Sequence, residues 1–294
     1  MAGRAPARGP RAPRAQGAVQ KARRRRHRRR APPDGGRLAA ILGLVDTHIH
    51  LDEIEDWRTA VEEAVAAGVT TLIAMGVDAD STQRAIEMAE SHPAVWAAAG
   101  HHPMNRHPPD LQRLGELARH PRVVAIGEVG LDRSEDEHVG PWPQQREWFE
   151  ALCLLAVEQE RPVCVHIRET AGEVHEILGR LAPRGLRAVI HYWSLDAEWA
   201  RRFIDLGCHL SFAGTITRRS KEQIREVARM VPEDRLLLET DAPWGTPQGH
   251  SGPMRPAWMV RTAETLAEVR GLSLERLAEI ERANVARLFP KIRL

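Results

Sequence analysis

The chain has 294 residues, 43% hydrophobic and 28% charged, with a formal net charge of +2. That is long enough for one large domain with a substantial core. No apolar stretch approaches the roughly 18 to 20 residues that cross a bilayer, so no membrane-spanning helix and no membrane partner are expected. Three cysteines, Cys153, Cys164 and Cys208, are odd in number and form no CxxC pair, so a disulfide framework is disfavoured and a reducing, cytoplasmic setting is expected.

The charge is unevenly spread. Residues 1 to 37 hold 13 of the 42 Lys and Arg and one of the 40 acids, a net +12, which leaves 29 bases against 39 acids, or −10, for the rest. "KARRRRHRRRAPPDGGR" has no apolar periodicity and cannot bury enough surface to offset its ordering entropy, so residues 1 to 37 are expected to be a disordered, arginine-rich extension. Its seven arginines around His27 read either as a nonspecific tether to nucleic acid, driven by counterion release, or as low-complexity sequence with no specific role. "LAAILGLV" follows these arginines but ends at Asp46 without a small-residue cleavage site, so an export signal is not expected.

After residue 37, short apolar or β-branched runs alternate with longer segments of helical spacing. The first strand is predicted at "LGLVDTHIH" (42–50), followed by a helix at "DWRTAVEEAVAAG" (56–68). The strand "GVTTLIAMG" (68–76) leads to the helix "STQRAIEMAESH" (81–92), and two further strands follow at "AVWAAAGHHP" (94–103) and "RVVAIGEVGLD" (122–132). Next come the helix "QQREWFEALCLLAVEQE" (144–160) and the strands "RPVCVHIRE" (161–169), "RAVIHYWS" (187–194) and "CHLSFAG" (208–214). The helix "SKEQIREVARMV" (220–231), the strand "RLLLETDAP" (235–243) and the helix "SLERLAEIERANVARLF" (273–289) end the chain. Eight such units predict an α/β fold, a (β/α)8 TIM barrel over residues 38 to 294. The rival, an open doubly wound sheet, finds no GxGxxG turn to support it.

Six of the eight strands end in a side chain able to ligate a metal: His48 with His50, His101 with His102, Glu128, His166, His191 and Asp241. A barrel brings these strand ends to one mouth. Strand alternation puts Asp46, His48 and His50 on one face, and lets only one of His101 and His102 point inward. A single histidine at a strand end is most often structural, but several imidazoles with buried carboxylates are costly unless a cation pairs with them. Imidazole plus carboxylate without clustered cysteine favours a transition metal over an oxygen-rich Mg or Ca cage, and Glu128 is the natural bridge between two ions.

The motifs "DTHIHLD", "GHHP", "GEVGLD", "HIR" and "ETDAP", with weaker matches at "QREWF" and "NVARLF", resemble in identity and order those of the TatD-type metal-dependent deoxyribonucleases from about residue 44 onward. The resemblance implies a TIM-barrel hydrolase with two divalent ions (Mg, Mn or Zn): His48, His50 and Asp241 on one, His166 and His191 on the other, Glu128 shared. It also implies a DNA or other phosphodiester substrate, with 3′ to 5′ exodeoxyribonuclease action, and it favours His102 over His101 as the inward residue. Two departures touch the substrate rim. "HYWSLD" replaces a small turn after His191, and Arg133 with the acidic "SEDEH" replaces an aromatic residue after "GLD".

The roles expected within this frame follow from chemistry. Asp241 would orient a water and accept its proton. Arg168, in phase with His166, would clamp a phosphate, the alternative being a rim salt bridge, and His102 would touch a phosphate or the leaving oxygen. Asp46 and Glu239 would fix a ligand ring or a strand end, Asp52 and Asp132 would cap the segments that follow them, and Cys164 would be barrel core. Trp193 and Trp244 would either stack on bases or pack. Two rival functions stand beside this one: an amidohydrolase-type C–N or ester hydrolase, disfavoured because no lysine lies at a strand end, and a noncatalytic nucleic-acid-binding protein with a basic arm.

Overall fold

A computed structural model describes residues 42–134 and 139–294, so the extension expected over residues 1 to 37 and most of the acidic "SEDEH" lie outside the described residues. Eight parallel strands pair in chain order: β1 Leu44–Ile49, β2 Val69–Met75, β3 Val95–Ala99, β4 Val123–Asp132, β5 Val163–Arg168, β6 Ala188–Ile190, β7 His209–Phe212 and β8 Leu236–Leu238. Each falls inside a predicted strand. The backbone N–H groups of Asp241 and His50 donate to His48 and Ala242 carbonyls, both at 2.9 Å, and so tie the segment after β8 back to β1. The sheet is thereby a barrel rather than an open layer.

Nine helices of at least eight residues wrap it among the described residues: α1 Trp57–Ala67, α2 Ala79–Ser91, α3 Leu111–Ala118, α4 Gln144–Glu158, α5 Ala171–Leu181, α6 Ala197–Asp205, α7 Glu222–Met230, α8 Met259–Arg270 and α9 Leu274–Leu288. Their starts are chemically marked. Asp78 and Ser81 form a reciprocal capping box on α2, and Asp110, Asp196 and Ser273 accept the backbone N–H three residues on at α3, α6 and α9. Asp196 belongs to the departure "HYWSLD", so part of that change goes into starting a helix.

Two apolar layers result. Helix faces pack on the outside of the sheet, while Val45, Ile73, Val124, Cys164, Val189 and Leu237 fill the lower lumen, as expected for Cys164. Leu288, Phe289 and Ile292 close the floor. The histidines and carboxylates at the strand ends thus enter above a largely apolar, low-dielectric plug.

Register shifts aim them. Between Asp46 and Ile49, β1 advances three residues while β2 advances two, and β4 does the same against β5 between Ile126 and Val129. An extra residue inverts the inward and outward phases of a strand. Val45 faces the lumen and Leu44 the helices, yet beyond the bulge Ile49 and Leu51 face the helices, which turns His48 and His50 inward. Simple alternation, which put Asp46 on the histidines' face, is corrected by this bulge. The strands also pass closely: a Cβ on Gly130, where φ is +152°, would lie 2.1 Å from the His166 carbonyl oxygen, so only glycine fits.

Candidate metal centre

Glu128, 2% exposed, is the hub of the barrel mouth. Its two oxygens divide the imidazoles. His48 Nε2 and His50 Nε2 lie 3.3 and 3.1 Å from Oε2, while His166 Nδ1, His191 Nε2 and His102 Nε2 lie 2.9, 2.9 and 3.2 Å from Oε1. Asp241 approaches from the first side, with Oδ1 at 3.7 and 3.5 Å from the same nitrogens of His48 and His50. Asp241 holds this position with φ at 59°, an uncommon conformation outside glycine, as do Glu169 and Tyr192, which likewise sit just past strand ends.

The donors fit divalent ions. Two ligand atoms each about 2.0 to 2.2 Å from one ion, at angles of 90 to 110°, lie roughly 2.8 to 3.6 Å apart, and nearly all the separations above fall there. Imidazole nitrogens also face one another, His48 Nε2 to His50 Nε2 at 3.3 Å, an arrangement that calls for a proton or a cation between them. Three overlapping triads have donor atoms within 4.8 Å of one another: His48, His50 and Glu128; His48, His191 and Asp241; His102, Glu128 and His166. His191 thus joins both sides, its ring stacked on that of His48 at 3.9 Å.

His102 differs from the other histidines. Its Nδ1 accepts the Met104 backbone N–H at 3.1 Å, so the neutral ring carries its proton on Nε2, the atom aimed at Glu128. That makes it a hydrogen-bond donor rather than a ligand. His101 turns away, its Nε2 3.0 Å from the His107 carbonyl oxygen.

Electrostatics follow the packing. Burial would raise the Glu128 carboxyl, but the imidazoles of His102, His191 and His48 outweigh it and hold it well below its ordinary range. Burial would lower His50, yet Asp241 and Glu128 lift it to about 10. His191 is raised well above its ordinary value against burial, chiefly by Glu128 and Glu239, whereas burial and the stacked His191 lower His48.

Buried carboxylates stand behind these rings. Asp132, expected as a cap, places Oδ2 3.1 Å from His166 Nε2 while Oδ1 accepts the Ser134 N–H at 2.8 Å, so capping is only half of its work. Fixing Nε2–H on Asp132 leaves the Nδ1 lone pair of His166 facing Glu128. Asp132→Asn is expected to weaken metal affinity about 10- to 100-fold with the fold intact, measured by metal titration beside circular dichroism. Glu239 Oε1 lies 3.4 Å from His191 Nδ1 and accepts the Tyr192 N–H at 2.6 Å. Asp46 touches no ligand ring; it accepts the N–H and hydroxyl of Thr240 at 2.9 and 2.5 Å, which fastens β8 to β1. Asp52 caps nothing and instead pairs with Arg84 at 2.9 Å.

Above the hub opens a cavity of about 680 Å³ whose wall includes Arg168, Asn105, Tyr192, Ser194 and Trp244. The Arg168 guanidinium has no ion-pair partner among the described residues, so the rim salt bridge is not found there. Trp193 is buried against Phe203 and packs. Trp244 is 48% exposed with its ring edge-on to His50 at 4.9 Å. Tyr192 and Ser194 belong to the departure "HYWSLD" expected at the substrate rim, whereas Asn105 escaped the sequence reading, since loop residues carry no periodic signal.

The chain is similar to known proteins in sequence and fold. The family model described as TatD related DNase matches residues 45–290. An uncharacterized metal-dependent hydrolase of Bacillus subtilis, YabD, is 34% identical over 253 residues, covering 84% of this chain and 98% of its own length. A protein of Pantoea vagans named 3′-5′ ssDNA/RNA exonuclease TatD is 32% identical over 244 residues, covering 80% and 93%. The crystal structure of the TatD homologue YjjV from Escherichia coli superposes with a TM-score of 0.79 at 30% identity, covering 85% of this chain and 99% of its own. Among the described residues, no helix is long and apolar enough to cross a membrane. With sequence, barrel and a mouth lined by His, Glu and Asp in agreement, the chain belongs to the TatD-related DNase family of metal-dependent hydrolases.

Proposed function

We propose that this enzyme hydrolyses the phosphodiester bonds of DNA, acting from the 3′ end as an exodeoxyribonuclease, with two divalent ions (Mg, Mn or Zn) sharing Glu128. The observation that carries the reading is the division of five imidazoles between the two oxygens of one buried carboxylate, beside an arginine with no ion-pair partner among the described residues. His48, His50 and Asp241 would hold one ion, and His166 and His191 the other. Bound there, the ions would supply Lewis-acid polarisation of a phosphoryl oxygen and a lowered pKa for water.

The chain's own groups do the rest. Asp241 orients the attacking water and accepts its proton. Arg168 clamps the nonbridging oxygens, and Nε2–H of His102 donates to the phosphate or to the leaving oxygen. Trp244 offers the terminal base an exposed face at the cavity mouth. The hydrolase domain spans residues 38 to 294, residues 1 to 37 serve as a basic tether, and three buried, unpaired cysteines suit the cytoplasm. Support for a nucleic-acid substrate comes from the relatives named as ssDNA/RNA exonucleases. A C–N hydrolase bridged by a modified lysine is less well supported, since neither Lys221 nor Lys291 lines the cavity.

The test is purified enzyme with Mg, Mn or Zn on single-stranded DNA, RNA, a chromogenic phosphodiester and amide and lactone panels. Turnover of DNA and the chromogenic diester is expected, with Arg168→Gln raising KM for the diester about tenfold and changing kcat less. Turnover confined to amides or lactones would overturn the reading.

A further inference from the structure

A second, open cavity of about 620 Å³ lies beside the first, and its wall, which includes Arg218, Arg219, Thr246, Gln248, His250 and Ser251, contains no carboxylate. That is unusual in a body of net charge −10. It is formed by the loops after β7 and β8, at the end of the barrel that carries the metal centre. The loops are fastened together: the Arg219 N–H donates to Gln248 Oε1 at 2.9 Å, the Gln248 N–H to Thr217 Oγ1 at 2.7 Å and Arg218 Nη2 to the Thr246 carbonyl at 3.3 Å. Arg225 braces the first loop from below through the Arg218 carbonyl at 2.6 Å. Arg218 is engaged on a carbonyl, and the nearby Glu222 is taken up by Arg225 at 3.1 Å and Arg229 at 2.9 Å, whereas the Arg219 guanidinium and the neighbouring Lys221 ammonium have no ion-pair partner among the described residues.

The groove adjoins the metal cavity. Trp244 lines one and Thr246 the other, and two residues of chain span at most about 7 Å. We propose that this groove is a track for the sugar-phosphate backbone of a single-stranded polynucleotide, holding the uncleaved remainder of the strand whose end lies in the metal cavity. Arg219 and Lys221 neutralise its phosphates, while Thr246, Gln248 and Ser251 supply neutral hydrogen-bonding partners. An acidic protein segment would also meet cations here, but only a strand already engaged at the metal centre explains why the groove adjoins it. The inference rests on the nuclease reading above and adds a length preference to it.

The test uses the full chain, with the double substitution Arg219→Gln/Lys221→Gln and, as control, Arg276→Gln on α9, whose partners Glu233 and Glu279 are surface acids. Measured quantities are kcat/KM on a 12-nucleotide single-stranded DNA and on a dinucleotide, and 12-mer affinity by fluorescence anisotropy without metal. The double variant is expected to lower the 12-mer to dinucleotide ratio of kcat/KM about tenfold, mainly through KM. It should also reduce the slope of log affinity against log salt by roughly 1.4, about 0.7 for each lost phosphate contact. Arg276→Gln should change neither. An unchanged ratio and slope in an enzyme that cleaves both substrates would overturn the track and leave the nuclease reading standing. If no phosphodiester is cleaved, the nuclease reading fails, and the salt slope alone decides whether the groove binds a strand. Displacement of the 12-mer by polyglutamate as effective as by unlabelled DNA would also overturn the proposal.

Discussion

Glu128→Gln is expected to reduce hydrolysis on the order of 10³-fold, about 4 kcal/mol of transition-state stabilisation, and to lower bound divalent metal from the proposed two ions per chain to one or none. The reason is geometric. Among the described residues, Glu128 alone presents separate oxygens to both histidine groups, at 3.1 and 3.3 Å on one side and 2.9 to 3.2 Å on the other. An amide of nearly the same volume keeps the packing but replaces one acceptor with an N–H donor and removes the negative charge, so one group of nitrogens loses its partner. Glu128→Asp should fall between, because a side chain one methylene shorter reaches only one group. Elemental analysis after gel filtration, with steady-state rates on the chromogenic diester, reads both effects. Full activity in Glu128→Gln would refute the bridge.

The stability gap between metal-loaded and metal-free protein is expected to widen as pH rises from about 6.5 to about 9. In the metal-free chain, Asp241 and Glu128 lift His50 to about 10, and His191 is raised as well. A group whose pKa is raised on folding adds stability that is fully present below its unfolded value, near 6.5, and lost as pH climbs through the folded value. Metal-free protein should therefore weaken across this window. Metal binding runs the other way, because the imidazoles must release their protons before they ligate, so affinity increases with pH. Each proton displaced contributes about 1.4 kcal/mol per pH unit, or about 2 to 3 °C in Tm for a chain of this size. Paired thermal scans with excess Mn or with chelator would measure the gap, and one that stays flat or narrows would exclude these histidines as ligands.

Much of this was legible in the sequence because two signals reinforce each other. Continuous runs such as "VVAIGEVGLD" are too apolar for a half-exposed strand, and the ligand types at their ends gain meaning once a barrel gathers those ends. The helices α3, α5, α6 and α8 were implied only by the alternation; α3, for instance, has eight residues, too few for a strong periodic signal. One expectation at the site is corrected and another is half met, each for a reason that local sequence does not show. Asp46 was assigned to the histidines' face because alternation was carried through a bulge that side-chain chemistry does not announce. The sequence shows the capping half of Asp132 but not its second partner, His166, which is 34 residues distant in sequence and reaches it only through the pairing of β4 with β5. The lack of an ion-pair partner for Arg168 among the described residues and the separation of Trp244 from Trp193 likewise depend on tertiary neighbours.

The most direct test is a crystal grown with Mn or Zn and measured on both sides of the metal's absorption edge. Two anomalous peaks about 3.5 to 4 Å apart are predicted, one bounded by His48, His50 and Asp241, the other by His166 and His191, with Glu128 between them. A single peak at full occupancy, or peaks that leave Glu128 untouched, would contradict the shared carboxylate on which the account depends.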